Sequence, residues 1–250
     1  MNLVVTAGNT LALIDRVRCL TNVFTGRTGA AIALEAHRRG HAVTLLTSHP
    51  EAVADLHQAA APLTERWTVL RYRTFDDLQR DMARLITGGR FDAVVHCAAV
   101  SDYLPAGVYA PAPHTRFHPE DGRWESDEPL APALADRTAG KVKSDEPELW
   151  LRLVRAPKLI DRVRADWGFR GLLVKFKLEA GVDDARLLEV AEQSRRHSAA
   201  DLVVANTLEG AGHYAFLGPG PGGYERVSRR DLPARLLERL EQLRRERHHG

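Results

Sequence analysis

The chain has 250 residues, of which 44% are hydrophobic and 27% are charged. This composition allows one large domain with a sizeable core, over residues 1–250, and excludes a globally disordered chain. The 35 basic and 33 acidic residues leave a net charge of +2, which argues against a dedicated nucleic-acid-binding protein.

Apolar, strand-like runs alternate with amphipathic helical runs along most of the chain. In the first half, strands are predicted over 3–5, 42–46, 68–72 and 92–97, with helices beginning at residue 30 and spanning 50–61 and 75–85. In the second half, strands are predicted over 149–154, 172–176 and 201–204, helices over 157–167, 183–197 and 231–247, and an edge hairpin over 214–217 and 224–227. This alternation predicts an α/β fold, with a mostly parallel sheet covered by helices on both faces.

Two segments leave open questions in this pattern. Residues 104–140 contain many prolines and little apolar periodicity, which predicts a flexible loop without regular structure, used as a lid, a binding loop or a disordered insert. The last helix has one leucine-rich face. Periodicity alone does not decide whether that face docks on its own domain or on a partner.

The loop between the first strand and the first helix is the first candidate binding site. It runs from Gly8 to Gly29, where an α/β protein binds phosphates, and small residues there let the backbone approach an anion. It also carries basic and amide side chains, at Arg16, Arg18, Asn22 and Arg27. Its glycines do not fit the G-x-G-x-x-G spacing, no acidic residue follows the second strand, and the chain has no Walker A motif. These absences weigh against a dinucleotide site and a P-loop, but not against phosphate binding in general. The alternative to phosphate binding is that the glycines only form turns.

Three further segments follow predicted strands at the same edge of the sheet, at 98–103, 177–179 and Asn206. Ligands of open α/β sheets bind outside the carboxyl ends of the strands, so these segments and the first loop predict one site. Lys141 and Lys143 close the proline-rich segment. A lysine over the site would stabilise a phosphoryl group, whereas an ordinary solvated lysine pair is the alternative.

Eight short segments, taken in order, resemble a known family. They are Val-Thr-Ala-Gly-Asn-Thr (5–10), Ile-Asp-Arg-Val-Arg (14–18), Thr-Asn-Val-Phe-Thr-Gly-Arg-Thr-Gly (21–29), Ala-Ala-Val-Ser-Asp-Tyr (98–103), Lys-Val-Lys-Ser (141–144), Ala-Pro-Lys-Leu (156–159), Phe-Lys-Leu-Glu (176–179) and Ala-Asn-Thr-Leu (205–208). Together they closely resemble phosphopantothenate–cysteine ligase, also called phosphopantothenoylcysteine synthetase, of coenzyme A biosynthesis. The resemblance extends from residue 3 to about residue 217.

The resemblance implies a Rossmann-like domain that forms a homodimer and completes its sites across the interface. It also implies a two-step reaction with 4′-phosphopantothenate and cysteine as substrates. ATP or CTP, with Mg²⁺, would activate the carboxylate as an acyl nucleotidylate, and the amine of cysteine would then form the amide.

Residue roles follow from the same resemblance, position by position. Asn22 matches the asparagine that binds the acyl intermediate, Arg18 a basic residue of the second half-reaction, and Lys141 the loop lysine that assists nucleotidyl transfer. The predicted nucleotide-binding residues are Gly8, from the loop argument, and Gly26, Gly29, Ala98, Ala99, Asp102, Phe176 and Asn206, from the resemblance. The 11 histidines show no metal-ligand spacing, and no metal ligand is predicted.

The chain departs from the best-known bacterial pattern at three places. Ser144 replaces a lysine, Ala156-Pro157-Lys158 replaces Asn-Pro-Asp, and Asn9 replaces a glycine. The first two, with Phe-Lys-Leu-Glu, resemble the eukaryotic form and favour ATP over CTP. Asn9 predicts a different shape for its turn. Because the first strand begins at residue 2 or 3, we expect no flavin decarboxylase half.

Two other functions remain as alternatives. A short-chain dehydrogenase would need a Tyr-x-x-x-Lys pair, and no tyrosine of the chain has a lysine four residues later. A non-catalytic nucleotide-binding protein derived from the ligase family would bind a nucleotide without releasing pyrophosphate. The two cysteines form no C-x-x-C pair, and there is no signal peptide or membrane span, so we expect a cytoplasmic protein without disulfides.

Overall fold

A computed structural model describes residues 1–57, 63–127 and 129–249, with side chains to residue 247. The chain forms two compact units, and the single domain over residues 1–250 stays a prediction. Unit 1 comprises Met1–Thr10, Val23–Val100 and Lys158–Gly250, and unit 2 comprises Leu11–Asn22 and Ser101–Pro157. Unit 2 therefore contains most of the two segments predicted as loops, together with the predicted strand at 149–154.

The described residues form 15 strands and six helices. The strands are β1 (Asn2–Ala7), β2 (Leu11–Leu13), β3 (Cys19–Thr21), β4 (Ala42–Thr47), β5 (Trp67–Arg71), β6 (Ala93–His96), β7 (Tyr103–Pro111), β8 (Thr115–His118), β9 (Arg123–Ser126), β10 (Leu134–Asp136), β11 (Trp150–Arg155), β12 (Leu172–Glu179), β13 (Leu202–Thr207), β14 (Tyr214–Gly220) and β15 (Gly223–Ser228). The helices are α1 (Arg27–Arg38), α2 (Glu51–Leu56), α3 (Phe75–Gly88), α4 (Leu159–Ala165), α5 (Asp184–His197) and α6 (Leu232–His249). Part of the predicted 50–61 helix, residues 58–62, lies outside the described residues.

Unit 1 contains an eight-stranded sheet in the order β15-β14-β13-β12-β6-β1-β4-β5. The pairs from β13 to β5 are parallel, and β14 and β15 add an antiparallel edge hairpin. The mostly parallel sheet and the hairpin predicted from the sequence are both confirmed. All the carboxyl ends of the parallel strands therefore lie at one edge of the sheet.

Helices cover both faces of this sheet, as alternate residues of β13 demonstrate. Leu202 and Val204 belong to the larger apolar core, which includes residues of α1 and α6. Val203 and Ala205 point the other way and pack in a second cluster with Leu187 of α5. A strand with both faces buried is typical of a parallel sheet between helical layers.

The last helix docks on its own unit, which answers the question left open by its leucine pattern. Four leucines of α6 are fully buried in the unit 1 core, at positions 232, 236, 237 and 240. Arg39, next to the end of α1, contacts Glu238 and Glu241 of α6 at 3.4 and 3.3 Å. The helix is therefore an integral layer of unit 1.

Unit 2 contains a three-stranded antiparallel sheet, in the order β10-β7-β11, and the hairpins β2–β3 and β8–β9. The prediction that 104–140 lacks regular structure is therefore wrong. The flexibility of this segment stays a prediction. The reason lies in β7, where Pro105 pairs with Leu153 beside a register shift and Pro111 is the last residue. A proline at a bulge or strand end does not interrupt a ladder hydrogen bond.

The other corrections are local. The first loop is not continuous, because β2 and β3 form a hairpin inside it, and α1 begins at Arg27 rather than Ala30. The predicted strand at 149–154 is present as β11, but it pairs with β7 in unit 2. Cys19 and Cys97 are both free thiols.

Candidate functional site

Unit 1 contains a cavity of about 360 Å³ at the carboxyl ends of its central strands. It is lined by Gly8, Phe24, Thr25, Gly26, Arg27, Thr28, Cys97, Ala98, Ala99, Phe176, Lys177, Leu178, Asn206, Ala211 and Arg229. The lining therefore comes from the residues that follow β1 and β6, from the carboxyl ends of β12 and β13 and the turn after β13, from the start of α1 and the residues before it, and from Arg229 after β15. This is the edge at which the sequence predicts a ligand, and where open α/β sheets bind one.

Two glycines let the chain approach itself closely beside this cavity. Gly26 has φ +75°, and a Cβ there would lie 2.5 Å from the backbone nitrogen of Gly8. Gly29 has ordinary φ, but a Cβ there would lie 2.6 Å from the Cβ of Ala7. Glycine at both positions therefore places the first turn of α1 directly against the end of β1, with its unpaired N–H groups at the cavity.

The Asn9 departure is accommodated by neighbouring polar side chains. The backbone N–H of Asn9 donates to Oγ of Ser48 at 2.9 Å, and that hydroxyl donates to Oδ1 of Asn9 at 3.1 Å. Among the non-glycine residues that the structure describes, only His114 and Ala199 have positive φ. The turn therefore needs no glycine at position 9.

The opposite wall of the cavity contains Phe176 and Asn206. Asn206 is 5% exposed, and its Nδ2 donates to the carbonyl oxygen of Tyr214 at 2.9 Å. This bond ties the end of β13 to β14. Phe176 is half-buried and packs against the core, so the wall is partly apolar.

Two functional candidates in this cavity are absent from the sequence prediction. Arg229 lies between β15 and α6, and its guanidinium contacts the hydroxyl of Thr28 in the first turn of α1. Burial lowers the pKa of Arg229 from its usual value. Cys97 also lines the cavity, and burial raises the pKa of its thiol to about 12, so it stays protonated at neutral pH.

A second, basic cavity of about 490 Å³ lies within unit 2. Its lining consists of Val17, Arg18, Lys141, Val142, Lys143, Ser144 and Asp145. The structure thus brings together Arg18 and Lys141, which are 123 residues apart in sequence. Cations gathered at an open cavity favour an anionic ligand.

Asp15 organises this second cavity, and the sequence analysis missed it. Its Oδ1 accepts the backbone N–H groups of Val17 and Arg18, at 2.9 and 2.8 Å. Its Oδ2 accepts the guanidinium of Arg18 at 2.6 Å and the backbone N–H of Val142 at 3.0 Å. The Arg18 guanidinium, followed by the Val17 N–H, lowers the pKa of Asp15 well below its usual range. The Asp-x-x-Arg spacing, typical of an Asx turn, is the signal that could have revealed it.

The remaining predicted residues lie elsewhere. Asn22 directly follows β3 and is half-buried, and Asp102 directly precedes β7 and is exposed. Neither lines either cavity, and Gly29 lies behind the unit 1 cavity rather than in its wall. The other predicted nucleotide-binding residues all line it. The binding and catalytic roles of the whole set remain predictions.

The described residues lack two features, a metal-binding cluster and a membrane-spanning helix. Within them, no group of three or more His, Cys, Asp or Glu side chains could bind a metal ion. The unit 1 cavity is lined by no carboxylate. No helix in the same residues combines the length and apolar character needed to cross a bilayer.

Sequence comparisons connect the chain to proteins of coenzyme A biosynthesis. Residues 1–111 match the family described as DNA/pantothenate metabolism flavoprotein C-terminal domain. The coenzyme A biosynthesis bifunctional protein CoaBC of Thermococcus kodakarensis is 28% identical over 244 residues, covering 96% of this chain and 50% of that protein. The protein of the same name from Escherichia coli K12 is 27% identical over 208 residues, covering 83% of this chain and 41% of that one. The chain spans half or less of the length of these relatives.

Solved structures share the fold. The DNA/pantothenate metabolism flavoprotein from Streptococcus pneumoniae has a TM-score of 0.74 at 23% identity, over 97% of this chain and 99% of that one. A mutant of Cab2 in complex with phosphopantothenate-cysteine has a TM-score of 0.63 at 17% identity, over 96% and 86% of the two chains. At these identities the likeness establishes the Rossmann-like α/β fold.

Proposed function

We propose that this chain, a homologue of the CoaBC proteins of coenzyme A biosynthesis, is a ligase that joins 4′-phosphopantothenate to cysteine. The observation that carries the proposal is the unit 1 cavity. Six residues that the family resemblance and the loop argument predict for nucleotide binding converge there from five separate parts of the chain: Gly8, Gly26, Ala98, Ala99, Phe176 and Asn206.

The proposed chemistry has two steps. A carboxylate oxygen of 4′-phosphopantothenate attacks the α-phosphorus of a nucleoside triphosphate, and the bond to the bridging oxygen breaks to release pyrophosphate. The amine of cysteine then attacks the acyl carbon. The amide forms, the nucleoside monophosphate leaves with the electron pair of the broken C–O bond, and the amine loses a proton.

Both steps develop negative charge, which positive or neutral donors stabilise. In the proposal Lys141 stabilises the phosphoryl group during nucleotidyl transfer, and Arg18 acts in the second step. Asn22 contributes an amide donor to the acyl intermediate. The buried Asp15 supports this assignment, because it fixes Arg18 beside the backbone of Val142, next to Lys141.

The nucleotide is proposed to be ATP, with CTP as the alternative. Because no carboxylate lines the cavity, the described residues offer no protein site for Mg²⁺ there. The proposal therefore has the nucleotide phosphates carry this ion. A homodimer and a cytoplasmic location also belong to the proposal.

The deciding experiment measures pyrophosphate release with 4′-phosphopantothenate, cysteine and Mg²⁺, comparing ATP with CTP. Release that depends on 4′-phosphopantothenate, with amide product detected by mass spectrometry, would support the ligase, and the faster nucleotide would identify the preference. Nucleotide binding without release from either would instead favour a non-catalytic nucleotide-binding protein.

The Lys141 assignment predicts that Lys141→Gln lowers the rate of pyrophosphate release by about 100-fold, as expected when one charge-stabilising donor is removed. Lys143→Gln makes the same charge change two residues away, and a much smaller loss is expected. Equal losses in the two variants would show that only the summed charge of the segment matters.

A further inference from the structure

We infer that Arg229 is a further substrate-binding residue, whose guanidinium binds the polyphosphate of the nucleotide in the unit 1 cavity. The inference rests on the proposed function for the identity of the ligand. Its physical basis is a half-buried positive charge that no carboxylate of the described residues neutralises, at a cavity whose other cations are paired.

Three cationic side chains line the cavity, and two of them have acidic partners. Arg27 lies 3.5 Å from Asp55, and Lys177 lies 2.6 Å from Glu179. Arg229 forms no ion pair with any carboxylate in the described part of the chain, and its side chain instead contacts the Thr28 hydroxyl. Arg229 is thus the cation in this lining whose charge remains available for a ligand.

Burying a charge without a counter-ion is unfavourable, and the lowered pKa of Arg229 reflects that cost. Arginine nevertheless remains protonated at neutral pH, so the charge persists in the cavity. An anion bound beside it would offset the lost hydration. The uncompensated guanidinium therefore selects for a negatively charged ligand.

The surroundings of Arg229 suit a phosphate group. The guanidinium has five N–H donors in a planar fork, and the contact with Thr28 occupies only part of that set. The fork matches two phosphate oxygens at once. Thr28 also places it at the first turn of α1, where unpaired backbone N–H groups favour an anion as well.

The test uses the full chain and calorimetric titration with ATP, CTP and inorganic tripolyphosphate. Arg229→Gln should lower the affinity for all three ligands by a similar factor, roughly 10- to 100-fold, as expected when charge-assisted hydrogen bonds are lost. Arg229→Lys should recover part of the loss. The matched control is Arg230→Gln, which removes the same charge from the exposed neighbouring residue and should leave the affinities unchanged.

The outcomes separate this inference from the proposed function. Unchanged affinities in Arg229→Gln would overturn the inference. A loss of affinity for ATP and CTP but not for tripolyphosphate would also overturn it, because Arg229 would then bind the nucleoside part. Failure of the natural protein to bind any of the three would also overturn it. If Arg229 governs binding but no amide product forms, the inference stands and the ligase proposal fails. Circular dichroism of each variant checks that the fold is intact.

Discussion

At the scale of single residues, Asp15 shows how one buried carboxylate shapes a binding surface. Its two oxygens accept backbone N–H groups from two separate segments of unit 2, as well as the Arg18 guanidinium. A carboxylate can accept all of these bonds, whereas an amide presents a donor at one of its two positions. The ionised form of Asp15 is therefore part of the structure.

We expect Asp15→Asn to accelerate hydrogen exchange at the Val142 amide by at least about 10-fold, because its acceptor is replaced by a donor. Asp121 provides a matched control, since its exposed carboxylate contacts only one neighbour among the described residues, Arg123, through the backbone N–H at 3.1 Å and the guanidinium at 3.6 Å. Asp121→Asn should affect only that turn. Unchanged protection of Val142 in Asp15→Asn would contradict the organising role of Asp15.

His96 predicts a pH dependence of stability. It lies in β6, 8% exposed, with its Nδ1 3.0 Å from the Thr6 hydroxyl. Burial, with a smaller effect from Lys175, lowers its pKa to about 4. As pH falls from about 6.5 towards 4, the unfolded state binds a proton that the folded state does not. The free energy of unfolding should therefore fall by about 1.4 kcal/mol per pH unit from this group.

Denaturant titrations of the natural protein and of His96→Gln, between pH 7 and 4, check this expectation. Glutamine does not titrate, so the difference in unfolding free energy between the two proteins should change across that range. A constant difference would contradict a buried, neutral His96.

The sequence predicts cavity-lining residues that belong to a local pattern, and it does not indicate those whose position depends on distant partners. Gly26 is recognisable because a phosphate-binding turn needs glycine before a helix. Arg229 is not, because it lies beside the predicted start of the last helix and reaches Thr28 only in the folded chain, 201 residues away. Asp102, predicted for the nucleotide pocket, is in unit 2 and lines neither cavity.

At the scale of elements, the contact of α1 with β1 depends on Gly29. A Cβ there would lie 2.6 Å from the Ala7 side chain and 3.0 Å from the Thr6 carbonyl oxygen. Gly29→Ala should therefore push the helix away, with a loss of roughly 1–3 kcal/mol in unfolding free energy. Nucleotide affinity should fall as well, because the first turn of α1 moves.

Gly88→Ala in α3 is the matched control, because no atom lies within 4 Å of a Cβ at that position. It should be neutral or stabilising by up to about 1 kcal/mol, through helix propensity. Urea denaturation measures both variants. Equal stability of Gly29→Ala and the natural protein would refute the close-contact argument.

Most elements of unit 1 could be predicted because their apolar residues repeat over long segments. The leucines of α6 and the apolar run of β13 are examples, and both were predicted. Apart from β11, the strands of unit 2 could not be predicted, because most of them are short and because β7 contains prolines and pairs with strands that lie far from it in sequence. Its small core includes Phe117, Trp124 and Trp150, with ring centroids 4.5–5.1 Å apart. No local periodicity predicts such an aromatic cluster.

At the scale of the whole molecule, the resemblance agrees with relatives that are CoaBC proteins of coenzyme A biosynthesis and with the shared Rossmann-like α/β fold. The parallel strands of unit 1 have one common polarity. A ligand in its cavity would contact only their carboxyl ends.

Saturating ATP should therefore slow hydrogen exchange at residues 24–28, at Ala98 and Ala99 and at Asn206. At the amino ends of the same strands, exchange at Asn2, Ala93 and Leu172 should slow only as much as global stabilisation requires. That stabilisation is about 2.7 kcal/mol when the ATP concentration is 100 times its Kd. Protection concentrated at those amino ends would place the nucleotide elsewhere.

The way unit 2 joins the rest of the chain has a consequence for protein engineering. The two ends of the segment 101–157 lie side by side, since Tyr103 pairs with Arg155 and the Ala156 N–H donates to the Asp102 carbonyl at 2.8 Å. Residues 11–22 likewise begin and end at the paired Leu11 and Thr21. The two ends of each segment are therefore held close together by hydrogen bonds, so changing the length of the segment costs little loop entropy. Length variants made at these two junctions are expected to leave the eight-stranded sheet of unit 1 unchanged.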